Sequence, residues 1–98
     1  MTWNPIIRPR ARLQIADAAD WYDREAPARG DEFLRSLHDT IESICRNPYQ
    51  YQVLRGELRR AVLRKFPYLI IYAVSGEEVT VLRCVHGRSD PRRWLGEA

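Results

Sequence analysis

Cysteine, lysine and glycine are all scarce in this chain of 98 residues, and each shortage closes off a class of chemistry. The two cysteines, Cys45 and Cys84, make no CxxC pair, and no paired-histidine spacing accompanies them. Neither a metal site nor a cofactor is therefore expected. Cys45 falls in a helical apolar stripe and Cys84 in a strand-like run, which reads as two small buried hydrophobes rather than a disulfide. The five glycines are isolated, so no phosphate-cradling loop exists. Serine is sparse and GxSxG is missing, which removes that acyl-transfer signature. No apolar run approaches the ~20 residues of a membrane span. The opening "MTWNPIIRPR" lacks the basic-then-apolar order of a signal peptide, so the expected location is the cytoplasm.

Arginine, in contrast, is abundant. It supplies fifteen of the sixteen cationic side chains, Lys65 being the exception. The charge is unevenly spread: residues 1–54 sum to −1 and residues 55–98 to +4. Arginine presents a planar fork suited to carboxylate and phosphate. A net charge of +3 is nevertheless modest for a dedicated nucleic-acid binder.

Apolar periodicity predicts one α+β domain over residues 1–98. "WNPIIRP" reads as a short extended piece that its prolines restrict to an edge or a strand start. Ala11, Ile15, Ala18 and Tyr22 recur at helical spacing, and Pro27 with Gly30 marks a break. A second helix carries Phe33, Leu34, Leu37, Ile41, Ile44 and Cys45 as one apolar face, and Asn47-Pro48 ends it. The pair predicts an antiparallel helical hairpin. Three β-rich runs follow, "ELRRAVLR", "YLIIYAV" and "EVTVLRCVH", with "SGEE" as the tight turn before the last. Strict alternation in that last run places Thr80, Leu82, Cys84 and His86 on one face and Val79, Val81, Arg83 and Val85 on the other. The expected architecture is a short N-terminal strand, the helical hairpin packed on a small antiparallel sheet, and a short C-terminal helix.

The segment "VHGRSDPRRW" concentrates reactive side chains. Ser89 or Asp90 can cap the short helix with Pro91 at its first position, and Trp94 and Leu95 would fold back on the sheet. A nuclease acting through the 2′-hydroxyl needs a base, an acid, and cations for the developing phosphorane charge. Arg59, Arg60, Arg64, Arg83 and Arg88 are the candidate cations. Arginine cannot serve as the base, and His86 is the one placed for it. Tyr68, Tyr72 or Lys65 would need strongly shifted pKa values. His86, Arg83 and Arg64 are thus the catalytic candidates if the chain is an endoribonuclease. Otherwise the segment is a contact surface with Trp94 pinning the tail.

"ADWYDREAPARGDEFLRSLHDTIESICRNP", "RRAVLRKFPYLIIYAV" and "VTVLRCVHGRSDPRRW", in that order, resemble the RelE/ParE superfamily of bacterial type II toxin–antitoxin toxins. The likeness covers nearly the whole chain and is to the ParE-like, plasmid-stabilisation-protein branch. It implies a toxin neutralised by an antitoxin encoded beside it, commonly of ribbon-helix-helix, ParD-like type, with operator DNA contacted through the antitoxin. ParE-like members poison DNA gyrase. RelE-like members cut mRNA on the ribosome with lysines, arginines and a terminal tyrosine, whereas this chain has one lysine and no tyrosine after Tyr72. Three expectations follow: a gyrase inhibitor first, a ribosome-dependent endoribonuclease second, and a non-toxic regulatory partner of an antitoxin third. Arg59, Arg60, Arg64, Arg83, Arg88, Arg92 and Arg93 are expected to bind either an acidic amphipathic antitoxin segment or the cellular target.

Overall fold

The computed structural model describes residues 2–95, the Trp94 side chain apart. Strand β1 (Asn4–Ile7) leads into helix α1 (Pro9–Glu25), and helix α2 (Arg29–Arg46) returns beside it. A single 3-10 turn (Pro48–Gln50) precedes β2 (Gln52–Arg55), β3 (Leu58–Val62), β4 (Tyr68–Ser75) and β5 (Glu78–His86). One last helical turn, α3, spans Arg92–Leu95. The strands form a single sheet in the order β1-β5-β4-β3-β2.

The sheet is mixed, which corrects the expectation of an antiparallel one. β1 runs parallel to β5, pairing Asn4 with Glu78 through Ile7 with Val81. The helical hairpin carries the chain from β1 at one edge of the sheet to β2 at the other, and the β2–β5 meander brings it back beside β1. The extra strand, β2, lay hidden because "QVLR" is too short to show alternation. Its turn to β3 uses Gly56 at φ 55°, just as Gly76 at φ 59° opens the β4–β5 turn. Both glycines lead a two-residue hairpin loop, where a positive φ matches the strand twist.

Proline sets φ for the start of α1, whose entry has no side-chain cap. Ala11, Ile15, Ala18, Ala19 and Tyr22 then point inward, as the spacing predicts. The break between the helices lies earlier than expected. Ala28, not Gly30, takes the left-handed conformation at φ 63°. Gly30 instead sits buried in the first turn of α2 and donates its N–H to Asp23 Oδ1 at 2.8 Å. A β-carbon there would lie 2.6 Å from the Ala19 carbonyl oxygen, so glycine sets how closely the helices cross.

The main core lies between this hairpin and one face of the sheet. Phe33, Leu37, Ile41 and Ile44 meet Ala61, Ile70, Tyr72, Val79, Val81 and Cys84. Tyr22, Phe33, Phe66 and Tyr68 form an aromatic knot with ring centroids 4.9–6.1 Å apart. Tyr72 is fully buried and donates its hydroxyl to the Pro48 carbonyl at 2.6 Å, which ties the 3-10 turn to the sheet.

Strict alternation fails in β5. Ile71 pairs with Arg83 while Tyr72 pairs with Val81, so Leu82 is an extra residue. Such a bulge shifts the parity of everything after it. Val79, Val81 and Cys84 consequently share the helix-side core, where simple alternation had set Cys84 apart from the valines. Arg83 and Val85 face the other way, in register with Ile71 and Leu69.

Candidate functional site

Among the described residues, the one helical element that packs on the sheet's second face is the final turn α3, through Leu95. Ile71 and Val85 are buried there within a rim of half-buried leucines: Leu54, Leu58, Leu69 and Leu95. Register places one row of side chains straight across it. Gln52 pairs with Arg60, Arg60 with Ile71, and Ile71 with Arg83. Two arginines thus flank an isoleucine on an apolar ground. Arg60 is held by Gln52, whose Oε1 accepts from Nε at 3.1 Å and from Nη2 at 2.9 Å. Arg83 donates from Nη1 to the Leu82 carbonyl at 2.8 Å, inside the bulge. Apolar surface framed by oriented guanidiniums suits an amphipathic acidic segment.

After β5 the chain is tied by short contacts. The Gly87 N–H reaches the Pro67 carbonyl at 2.7 Å, and the Ser89 N–H reaches the His86 carbonyl at 2.8 Å. His86 Nδ1 accepts the Arg88 N–H at 3.1 Å, so the proton of the neutral ring lies on Nε2. The His86 ring meets Tyr68 edge-on at 5.3 Å. Asp90 Oδ1 accepts the Arg92 N–H at 2.9 Å, so Asp90 rather than Ser89 starts the final turn. Its carboxylate also grips the Arg92 guanidinium at 2.9–3.2 Å. Those bonds from Arg92 hold the Asp90 carboxyl below its ordinary range. Arg88, Arg92 and Arg93 are exposed beside this turn. Leu95 packs on the open sheet face, while the anchoring role expected of Trp94 falls on a side chain outside the described residues.

The remaining candidates lie elsewhere. Arg59 projects to the helix side, donates to the Tyr51 carbonyl at 2.8 Å and the Tyr49 carbonyl at 3.3 Å, and stacks over the Tyr49 ring at 5.2 Å. It clamps the segment between α2 and β2. Arg64 is exposed in the β3–β4 loop beside α2, and its backbone carbonyl accepts the Ser36 hydroxyl at 2.6 Å. A hollow of about 390 Å³ there is lined by Glu32, Arg35, Asp39, Arg64 and Lys65 among others.

His86, Arg83 and Arg64, the three catalytic candidates, therefore do not converge. His86 faces α1, Arg83 faces the open side of the sheet, and Arg64 flanks α2. The alternative bases are no better suited. Burial raises the Tyr68 hydroxyl above its ordinary pKa and pushes Tyr72 up to about 12, away from neutrality. Cys84 is likewise pushed up to about 12 by burial, and both cysteines are free. Among the described residues, no group of three or more His, Cys, Asp or Glu could hold a metal ion. No helix among them is long and apolar enough to cross a membrane.

A second feature escaped the sequence reading. Gln14, Asp17, Ala18, Trp21 and Arg24 line a stripe of α1, facing Tyr68, Cys84 and His86 across an open hollow of about 440 Å³. Trp21 is 47% exposed, and the chain's helical spacing of Gln14 and Trp21 was the available signal.

The fold is that of a small α+β domain, and comparison with known proteins gives the class. A family model described as the ParE toxin of the type II toxin–antitoxin system parDE matches residues 6–91. Among solved structures, a chain titled "Chromosomal ParDE TA system from P. aeruginosa" superposes with a TM-score of 0.76 at 15% identity. The match covers 87% of this chain and 96% of that one. A search of curated proteins returned no match. The chain belongs to the ParE toxin family.

Proposed function

We propose that this chain arrests bacterial growth by inhibiting DNA gyrase, and that a ribbon-helix-helix, ParD-like antitoxin neutralises it in the cytoplasm. The observation that carries the reading is the ParE family match across residues 6–91. The dispersal of the nuclease candidates supports it. Cutting RNA needs base, acid and cations around one phosphate, and His86, Arg83 and Arg64 project from three different parts of the molecule. A toxin acting by contact needs no such convergence.

The antitoxin segment belongs on the open sheet face in this reading. Its apolar side chains would pack on the half-buried leucine rim around the already buried Ile71 and Val85, and its carboxylates would meet Arg60 and Arg83. Arg88, Arg92 and Arg93 at the rim would add long-range attraction more than affinity. Operator DNA would be read by the antitoxin within the complex.

Inducible expression in a bacterial host tests the target. Gyrase inhibition predicts filamentous cells and a DNA-damage response, relieved by a resistant gyrase and by the open reading frame adjacent to this gene. Translation stopping first would favour mRNA cleavage, and unimpaired growth with folded protein would overturn both toxic readings.

A further inference from the structure

β5 is only half covered along its outer edge. β1 pairs with Glu78 to Val81 and then ends. The last backbone bond on that side runs from the Arg8 N–H to the Val81 carbonyl at 3.0 Å. Beyond it the edge of residues 82–86 faces α1, and a side chain stands where a strand would be: Gln14 Oε1 accepts the Cys84 N–H at 2.8 Å. That bond fixes which groups point outward. In an extended strand the N–H and C=O of one residue point the same way, and residues two apart repeat it. Cys84 and His86 therefore offer their outward N–H groups at strand spacing.

A cavity of the right kind adjoins this edge. The hollow under the Gln14–Trp21 stripe continues into an apolar slot of about 320 Å³ lined by Trp21, Tyr22, Pro67, Tyr68 and His86. Its aromatic walls can hold one bulky apolar side chain. The charged groups lining the hollow are Asp17 and Arg24, which offset each other, with no cationic excess for a polyanion. Backbone donors at two-residue spacing beside an apolar slot match an extended peptide and not a nucleic acid.

We infer that the groove between α1 and the free half of β5 binds a short extended peptide, which adds to the sheet beyond β1 and seats an apolar side chain in the slot of Trp21, Tyr68 and His86. Gln14 is the placeholder that occupies the edge in the empty state and is displaced on binding. This surface lies on the opposite side of the sheet from the Arg60–Arg83 row, so it stands whether or not the gyrase and antitoxin reading holds.

The test uses blocked six-residue peptides alternating threonine with one apolar residue, either phenylalanine, leucine or alanine. Each is titrated into the isotopically labelled full chain while amide and indole resonances are followed. Phenylalanine and leucine peptides should shift the Cys84 and His86 amides and the Trp21 indole and slow amide exchange at both positions. The alanine peptide should bind at least tenfold more weakly. Trp21→Ala should weaken the phenylalanine peptide by tenfold or more. Gln14→Ala should tighten it severalfold, because the edge no longer has a resident acceptor. Trp21→Phe, which keeps an aromatic wall, should retain most of the binding and guards against misfolding of the alanine variant. Shifts confined to β2, the other open edge, would overturn the proposal. So would weaker binding by Gln14→Ala, silence with every peptide, or an oligothymidine that shifts the same amides in their place.

Discussion

Replacing Gly30 by alanine gives the most direct check on how the helical hairpin is set. In an unobstructed helix, glycine to alanine stabilises by up to ~1 kcal/mol, and less in the first turn. Here the new methyl would lie 2.6 Å from the Ala19 carbonyl oxygen and 2.6 Å from Asp23 Oδ1. The Asp23 side chain can swing away, but a helix carbonyl cannot. The helices must part, which strains the Gly30–Asp23 hydrogen bond and loosens the Tyr22–Phe33 stack at 5.4 Å. Overpacking of this kind costs about 1–3 kcal/mol. Set against the propensity gain, the expected net loss is about 1–2 kcal/mol, which for a domain of this size lowers Tm by roughly 5–15 °C. Thermal unfolding followed by circular dichroism reads it. Asp23→Ala together with Gly30→Ala clears one contact and leaves the other, so the double variant should remain less stable than Asp23→Ala alone. A Gly30→Ala protein as stable as the parent, or more so, would refute the close-crossing argument.

Four further outcomes are expected. Tyr72→Phe leaves the buried Pro48 carbonyl without its 2.6 Å donor and should cost about 1–3 kcal/mol in urea unfolding. Burial holds the protons of Cys84 and Tyr72 to about pH 12, above the 9.0 and 10.0 of the free groups. Their contribution to stability is therefore intact below pH 9 and lost as pH rises towards 12, because the unfolded chain releases those protons first. Cys84→Val should reduce the stability lost between pH 9 and 12 without abolishing it, because Cys45 remains as a buried thiol whose pKa burial also raises. On the open sheet face, Arg60→Glu should weaken antitoxin binding by tenfold or more in calorimetry, and added salt should weaken the parent complex; unchanged affinity in both would move the interface elsewhere. His86→Ala should leave growth arrest intact in an expression assay, since His86 lies away from Arg83 and Arg64; loss of arrest in a folded, antitoxin-binding variant would revive the nuclease reading.

Both helices were legible in the sequence because Ala11, Ile15, Ala18 and Tyr22, like Phe33, Leu37, Ile41 and Ile44, keep a 3.6-residue period that burial enforces. The central strand was legible because Leu69 and Ile71 on one side and Ile70 and Tyr72 on the other are all apolar. Three features were not. The parallel pairing of β1 depends on where the hairpin delivers the chain, which no local pattern encodes. The bulge at Leu82 leaves no mark in a run of alternating β-formers, yet it decides which side Cys84 and Arg83 occupy. Gly30 looked like a breaker because its function is an absence of side chain at a contact made across the hairpin. At the candidate site, the arginine-rich character of the C-terminal half was plain, but its division was not. Arg60 and Arg83 share a row, Arg59 is drawn into the helix side by two carbonyls, and Arg64 stands apart beside α2. That division follows from strand parity, register and the bulge together.

The central claim is that this ParE-family chain acts on gyrase by contact rather than by cleaving RNA. Purified chain incubated with gyrase, ATP and relaxed plasmid tests it most directly. The account predicts that supercoiling falls and cleaved plasmid accumulates, that the adjacent antitoxin reverses both, and that His86→Ala behaves as the parent does. Gyrase turning over unhindered at saturating toxin, with ribosome-bound mRNA cut in a parallel reaction, would contradict it.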